Sequence, residues 1–225
     1  MYSLSSFFTS SIGRKSIVAL TGLALFGFVL GHLIGNLQIF LGPEPLNQYA
    51  QFLQNLGELL WIIRASLLVM LLAHVYFTIQ LRTENRAARP TPYAVTKYRA
   101  STRSARLMTL SGLTVLCFII FHLLHFTAQK IDPSFASLHD SEGRHDVYQM
   151  IIHGFQNRPV SAFYLLSVAL LALHLNHGFA SLFQTLGLNS AKLRPFYKIT
   201  GSSLSILIFL GYASIPLAVL TGFLK

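Results

Sequence analysis

Five long apolar runs limit how this chain can fold more than any other feature. They cover residues 17–41, 59–81, 107–128, 160–188 and 199–224. A helix needs about 20 apolar residues to cross roughly 30 Å of hydrocarbon, and each run reaches that length. Hydrophobic residues make up 53% of the chain and charged residues 11%, whereas soluble domains carry roughly a quarter charged residues. We therefore predict an all-α integral membrane bundle of five transmembrane helices.

The segments around these runs predict one membrane domain. The first run ends in Asn36 and Gln38, and no small-residue cleavage site follows it, so we expect a retained span and not a signal peptide. Apolar residues recur at helical spacing over residues 46–58, which predicts a helix on the membrane surface. No stretch has the composition of a soluble domain. We expect residues 1–225 to form a single membrane domain.

Basic residues are distributed unequally between the two sides of the predicted bundle. The segments on one side hold twelve of the 17 lysines and arginines: Arg14, Lys15, Arg82, Arg86, Arg89, Lys97, Arg99, Arg103, Arg106, Lys192, Arg194 and Lys198. The segments on the other side hold six of the seven acidic residues. Basic segments are retained in the cytoplasm, so we predict a cytoplasmic N-terminus and a C-terminus outside. The net charge of +10 is read as a topology signal and not as nucleic-acid binding.

The histidines inside the apolar runs are the main candidate functional residues of the sequence. Six of the nine lie there: His32, His74, His122, His125, His174 and His177. An ionisable side chain in hydrocarbon is costly and marks a functional site by default. A single such histidine is more often a buried, hydrogen-bonded side chain, but histidines on four successive spans favour a shared role. The other three, His139, His145 and His153, lie in a polar outer loop and are expected to be solvated or interfacial.

The depth of these histidines indicates haem. The chain has one cysteine, Cys117, so a thiolate-bound cluster is excluded. A haem iron held by two imidazoles needs them on different helices at the same depth. His32 lies 17 residues beyond Lys15 and His122 lies 16 beyond Arg106, so both are about 25 Å from the inner surface. They form an outer layer.

A second layer is expected closer to the inner surface. His74 is roughly 12 Å and His174 roughly 20 Å from the inner ends of their spans. The first four spans would thus enclose two stacked haems, and the fifth, which has no histidine, would support them. Spacing leaves open His125 as an alternative to His122, and His177 as an alternative to His174, because residues three apart share a helix face.

Three segments resemble a known family. They are SIGRKSIVALTGLALFGFVLGHLIGNLQIFLG at residues 11–42, FHLLHF at 121–126 and HLNHG at 174–178. Together they resemble the five-helix, di-haem cytochrome b (b558-type) membrane anchor subunit of succinate:quinone oxidoreductases, which include succinate dehydrogenase and fumarate reductase. The resemblance covers nearly the whole chain.

The resemblance implies a ligand for each of the first four spans. His32 and His122 would bind the iron of the outer haem, and His74 and His174 that of the inner haem. In the family, the third ligand follows an aromatic residue and the fourth stands four residues before a glycine. The resemblance therefore favours His122 over His125 and His174 over His177.

The resemblance also implies a role and partners. The chain would anchor a flavoprotein subunit with FAD and an iron–sulfur subunit to the lipid bilayer of a bacterial cytoplasmic membrane. It would not carry the dehydrogenase chemistry itself, and its two b haems would pass electrons between the iron–sulfur subunit and a quinone, with menaquinone expected. Lys15, Arg103 and Arg106 are expected to contact haem propionates or the iron–sulfur partner, although solvated topology signals explain them equally well.

A quinone site is expected near the outer haem, bordered by Asn36, Glu58 and Arg64. Quinone chemistry exchanges two protons with water, so the site needs a titratable group near the surface, and Glu58 has that depth. Two other functions stay open. One is the cytochrome b subunit of a hydrogenase or formate dehydrogenase, and the other is a haem-free transporter with proton-relaying histidines, for which broken helices are expected.

Overall fold

The computed structural model describes residues 4–88, 91 and 102–225 of the chain. In this part the only β-structure is an isolated bridge between His139 and His145. The α-helices in chain order are α1 (Leu4–Thr9), α2 (Ser11–Leu37), α3 (Pro43–Asn55), α4 (Glu58–Ala87), α5 (Arg103–Arg106), α6 (Met108–His122), α7 (Val147–Gln156), α8 (Arg158–Thr185) and α9 (Leu193–Leu220).

Five of these helices are long and apolar enough to cross a membrane, as predicted. They are α2 with a 3₁₀ turn to Leu41, α4, α6 with a π-helical turn to Thr127, α8 and α9. Several extend beyond the apolar runs, because polar residues continue the helix into the interface. The chain is therefore a multi-pass membrane protein built from helices.

Local hydrogen bonds explain where three of the helices begin. The Ser10 hydroxyl accepts a bond from the amide of Gly13 at the start of α2. Asp146 and Asn157 play the same role for α7 and α8. A side-chain acceptor at this position satisfies an amide that has no partner within the helix.

The helix predicted to lie on the membrane surface, α3, begins at Pro43, earlier than the periodicity predicts. Proline suits the first turn of a helix, because the amide that it lacks would have no intrahelical partner there. The helix ends at Asn55, and Gly57 then adopts a positive φ of 55° before α4 begins. Pro43 and Pro45 therefore lie in the first turn of α3 and do not precede the helix.

The spans pack as two hairpins and a fifth helix. α2 packs along α4, and α6 packs along α8. α2 also contacts α8, and α9 packs mainly on α8 and also on α2. None of the residues of α4 is buried, and its exposed apolar side chains, such as Trp61, Val69 and Leu72, face the hydrocarbon expected around a membrane span.

One end of the bundle, here called the inner end, carries most of the basic residues in the described part of the chain. The buried Arg14 donates hydrogen bonds to the carbonyls of Phe8 and Thr9 and pairs with Glu84 on α4. Arg82 bonds the hydroxyl of Thr109 at the start of α6. These contacts hold the ends of α2, α4 and α6 at one level.

The opposite, outer end is closed by a cap that consists of α3, the 3₁₀ turn Pro133–Ser137 and α7. The best-buried apolar cluster lies here, where the cap meets α8 and α9 and brings together Ile39, Leu46, Ile152 and Ile215. The cap thus seals the outer end of the bundle.

Arg144 links the helix α3 of the cap to the loop before α7 through hydrogen bonds to two carboxylates. Its guanidinium donates to Glu44 of α3 and to Asp140. The bond from Arg144 holds the pKa of Glu44 below its usual value. Burial alone would raise the pKa of Asp140, but its bonds with Arg144 and Glu142 lower it overall. Both carboxylates are therefore charged near neutral pH and attract Arg144.

Candidate functional site

The outer pair of histidines faces across the bundle. His32 lies near the end of α2 and His122 is the last residue of α6. Their ring centres are 5.9 Å apart, and their planes meet at 79°. The two residues stand 90 positions apart in sequence. The sequence predicted that they lie at the same depth, and the fold brings their side chains together.

The inner pair repeats this arrangement on the other two helices. His74 of α4 and His174 of α8 have ring centres 6.5 Å apart and planes that meet at 61°. The four histidines assigned to the haems therefore form two facing pairs, one in each layer. Their role as ligands stays a prediction.

The separation within each pair suits one metal between two imidazoles. A metal–nitrogen bond is about 2 Å long, and the ring centre lies about 1.1 Å behind the nitrogen, so two imidazoles on opposite sides of one metal have centres about 6 Å apart. No group of three or more His, Cys, Asp or Glu side chains in the described residues can hold a bare metal ion. Haem iron needs only two protein ligands, because the macrocycle supplies the rest.

The two helices that carry each pair have little direct contact. α2 and α6 scarcely contact each other in the described structure, nor do α4 and α8. The two imidazoles of each pair therefore meet between helices whose backbones scarcely contact each other. The pair separations and the donor type fit an iron held by two histidines.

The inner histidines are oriented by hydrogen bonds at Nδ1. His74 Nδ1 lies 3.1 Å from the carbonyl oxygen of Val18 and 3.2 Å from the hydroxyl of Thr21. A carbonyl can only accept, so Nδ1 carries the proton and Nε2 keeps its lone pair. This is the tautomer that a metal ligand needs, with its other ring nitrogen held by a second hydrogen bond.

His174 has a matching environment on α6. Its Nδ1 lies 3.5 Å from the hydroxyl of Ser111, which donates to the carbonyl of Met108 and can therefore accept from the imidazole. The separation is at the long end of hydrogen-bonding range, so this contact orients the ring more weakly than that of His74.

A glycine lies behind each inner histidine. A Cβ atom on Gly22 would come within 3.1 Å of His74 Cε1, and one on Gly112 within 3.3 Å of His174 Cε1. Each glycine follows the hydroxyl residue just described and stands ten positions before the outer histidine of its helix. Ten residues of helix rise about 15 Å, which sets the spacing between the layers. The sequence interpretation missed this repeated Ser/Thr-Gly pattern.

The outer pair has different neighbours. The buried Tyr164 of α8 places its hydroxyl 3.2 Å from His122 Nδ1. The side-chain nitrogen of Asn36 lies 3.3 Å from both ring nitrogens of His32 and bonds more closely to a backbone carbonyl, so it does not fix one tautomer. Tyr212 of α9 lies against His32, with ring centres 6.3 Å apart. Neither tyrosine was predicted, and Tyr212 brings α9 into contact with the outer pair.

His125, the alternative ligand on the third span, has a different environment from His122. His125 lies in the π-helical turn, is only 2% exposed, and contacts Tyr164, Phe126 and Phe135. It is His122 whose ring faces His32, and it is His174 whose ring faces His74. The geometry thus favours the pairing that the resemblance implies.

The expected quinone-site residues are not brought together by any described contact. Asn36 lies beside His32, but Glu58 is exposed at the start of α4. Arg64 is exposed on the same helix and lies over the ring of Trp61, 5.1 Å from its centre. A shared site for these three side chains stays a prediction.

The contacts expected of three basic residues with haem propionates or the iron–sulfur partner stay predictions. Lys15 and Arg106 are exposed at the inner end. The side chain of Arg103 lies outside the described residues.

The comparisons with known proteins add no further constraint. The chain matches no family model, no curated protein and no solved structure. The functional argument therefore depends on the residues and their geometry.

Proposed function

We propose that the chain is a di-haem cytochrome b that anchors a succinate:quinone oxidoreductase and passes electrons between its iron–sulfur subunit and a membrane quinone. The observation that carries this proposal is the arrangement of four histidines as two facing pairs. The levels of the two pairs differ by about ten residues, counted along α2 and α6. A layer spacing of roughly 15 Å is close enough for electrons to pass between two centres within one bundle.

His32 and His122 would hold the outer haem, and His74 and His174 the inner haem. When bound, each haem supplies one-electron chemistry. The chain itself holds the imidazoles in place. Val18 and Thr21 keep His74 in the ligand tautomer, Ser111 assists His174, and Tyr164 contacts His122. Such neighbours also influence the reduction potential.

The two ends of the bundle suit different partners. The inner end presents exposed cations such as Lys15, Arg86 and Arg106, which can attract acidic surfaces of a soluble partner. In this proposal that partner is the iron–sulfur subunit, with the FAD-carrying flavoprotein beyond it, in a bacterial cytoplasmic membrane. The capped outer end lies next to the outer pair and is the expected side for quinone, with menaquinone favoured.

Haem content tests the proposal directly. The full chain, purified in detergent, is expected to show a reduced-minus-oxidised spectrum of b-type haem and about two haems per chain in a pyridine haemochrome assay. His32→Ala and His74→Ala are each expected to lower this number to about one, because each removes one ligand from one pair.

His139→Ala is the matched control, since this histidine is exposed in the outer loop. Two haems should remain in it. A folded wild-type chain without haem would exclude the cytochrome and leave the haem-free transporter. Equal haem content in His139→Ala and both pair variants would exclude the ligand assignment.

A further inference from the structure

The hydroxyl of Tyr164 lies between two histidines near the outer end of the third span. It is 3.2 Å from Nδ1 of His122 and 3.1 Å from Nδ1 of His125. Tyr164 is 5% exposed, and the rings of Phe118 and Phe155 meet its ring edge-on. In such apolar surroundings the hydroxyl depends on these two nitrogens for its hydrogen bonds.

The packing around His125 holds its ring in this position. His125 lies in the π-helical turn Leu123–Thr127, a type of turn that is frequent at functional sites. Its ring packs on that of Phe126, with ring centres 4.1 Å apart. On the α7 side, a Cβ atom added to Gly154 would come within 3.2 Å of His125 Cε1. The ring therefore has little freedom to turn, and Nδ1 stays directed at Tyr164.

The two contacts have a direction, because a hydroxyl carries one proton. If His122 binds iron through Nε2, its Nδ1 carries a proton and donates a hydrogen bond to the oxygen of Tyr164. The hydroxyl of Tyr164 then donates to Nδ1 of His125, whose lone pair accepts. The reverse direction would place a proton on Nε2 of His122 and leave no lone pair for a metal. The acceptor at His125 therefore selects the tautomer of His122 that can be a ligand.

The surroundings of His125 favour a proton on its other nitrogen, Nε2. His125 lines a pocket of about 100 Å³ together with Asp132 and Asn157. A side-chain hydrogen bond from Ser134 holds the pKa of Asp132 below its usual value, so this group is a carboxylate at neutral pH. The carboxylate interacts electrostatically with His125, and it can only accept hydrogen bonds. The pocket thus keeps the proton on Nε2 and leaves Nδ1 free to accept from Tyr164.

This row of hydrogen bonds also changes the basicity of the ligand. An imidazole whose second nitrogen donates to an acceptor is a more basic ligand, and a more basic ligand stabilises the more positive, oxidised iron. Tyr164 is a stronger acceptor when its own proton is engaged at His125, because hydrogen bonds in a row polarise one another. The complete row therefore favours the oxidised form of an iron bound to His122.

We propose that His125 is a positioning residue for the outer haem, which acts through Tyr164 to fix the ligand tautomer of His122 and to lower the reduction potential of that haem. This inference rests on the proposed function. It gives His125, which the spacing of the sequence left open as an alternative ligand, a supporting role in place of iron binding. No proton is transferred, because the row keeps the same arrangement of protons in both oxidation states.

The reduction potential of the outer haem tests this role in the full chain, purified in detergent. His125→Leu and His125→Asn introduce side chains of nearly the same shape, but only asparagine has an oxygen that can accept from Tyr164 at the position of Nδ1. We expect His125→Leu to shift the outer equilibrium towards the reduced form by about five- to tenfold, the effect of one hydrogen bond. Tenfold is about 59 mV for a one-electron couple. His125→Asn should stay close to the wild type.

A double variant separates this role from simple packing. Tyr164→Phe removes the shared hydroxyl and should raise the outer potential at least as much as His125→Leu does. Because His125 acts only through this hydroxyl, adding His125→Leu to Tyr164→Phe should cause no further shift. A residue that merely fills space would shift the potential independently in the double variant. Should Tyr164→Phe misfold, the contrast between His125→Leu and His125→Asn still decides the question.

Two controls locate the effect at the outer haem. The inner potential should be the same in all these variants, because His74 and His174 bond to groups on α2 and α6. Tyr148→Phe removes a hydroxyl from the buried cluster at the outer end, but that hydroxyl bonds to the carbonyl of Lys225. Both of its potentials should therefore equal those of the wild type.

The outcomes distinguish this inference from the proposed function. His32→Ala and His74→Ala, each expected to lose one haem, identify which potential belongs to which haem. An outer potential that is unchanged in His125→Leu, or shifted equally in His125→Leu and His125→Asn, would overturn the positioning role while leaving the cytochrome intact. Additive shifts in the double variant would overturn it as well. A chain without haem would instead overturn the proposed function.

Discussion

Gly22 and Gly27 lie on the same helix but meet different surroundings. A Cβ atom on Gly22 would approach His74 Cε1 to 3.1 Å, whereas one on Gly27 would meet nothing within 4 Å. The first distance is shorter than ordinary carbon contacts of about 3.5–4.0 Å, so an added methyl group must displace the imidazole by a few tenths of an ångström. Small displacements matter here, because a ligand must point at its metal.

We therefore predict that Gly22→Ala weakens binding of the inner haem by about 10–100-fold, the range seen when groups that support a metal ligand are changed. Gly27→Ala should bind both haems as the wild type does. The measurement is haem per chain during haem titration, together with the reduced spectrum. Equal inner-haem affinity in the two variants would show that the glycine does not position His74.

At this scale the sequence predicted the histidine pairs but not their neighbours. Expected depth was enough to match His32 with His122, because a straight helix converts residue number into distance. The contact of Tyr164 with His122 could not be predicted in this way. It depends on the rotation of α8 about its own axis, which the packing of neighbouring helices determines.

The cap shows how one buried polar side chain can join distant elements. Asn47 of α3 is 1% exposed. It accepts a bond of 3.0 Å from the amide of Tyr148 and donates to Asp146 and Asp140. It thereby ties α3 to the start of α7, about a hundred residues later. Removing it would leave a buried amide without a partner.

We predict that Asn47→Ala lowers the free energy of unfolding by about 1–3 kcal/mol, the cost of leaving such a group unsatisfied. Gln48→Ala is the control, because the neighbouring Gln48 is exposed and bonds only to Glu44 of its own helix. Its effect should stay within about 0.5 kcal/mol. Thermal unfolding of the detergent-purified chain measures both. Equal effects would mean that the cap does not depend on the buried asparagine.

The elements themselves were partly predictable. Long apolar runs identify spans because no other structure satisfies the backbone in hydrocarbon. α7 was missed, although Asp146 begins it and Met150, Ile151, Ile152 and Phe155 are buried. A ten-residue helix among charged residues resembles a loop in composition, and its apolar side chains gain a partner only when α3 folds over them.

The two halves of the chain have similar structures, a similarity that composition does not reveal. Each of two hairpins, α2 to α4 and α6 to α8, has a short helix at the outer end between its spans, and these helices, α3 and α7, pack together. Each hairpin supplies one histidine to each pair. The Ser/Thr-Gly pattern at residues 21–22 and 111–112 is the sequence signal of this correspondence. Two similar halves thus explain why there are two similar pairs.

The two ends of the molecule differ in charge, and this difference predicts its orientation. Arg14, Arg82 and Glu84 are brought to one level at the inner end, and the acid-rich cap lies at the other. Since basic segments remain in the cytoplasm, the inner end should face the cytoplasm and the cap the outside. The electron path proposed above needs this orientation, because the partner subunits and the expected quinone site would lie on opposite sides of the membrane.

We predict that cysteine labelling of bacterial cells will place the cap outside. The native Cys117 is first changed to serine, and Ser141→Cys, in the loop between the 3₁₀ turn and α7 of the cap, or Ala191→Cys, between α8 and α9, is then added, both at exposed positions. A membrane-impermeant maleimide should label Ser141→Cys in cells with an intact cytoplasmic membrane. Ala191→Cys should react only after that membrane is opened, because its segment lies beside Lys192 and Arg194 on the retained side. The opposite labelling pattern would invert the bundle and place the cap next to the cytoplasm.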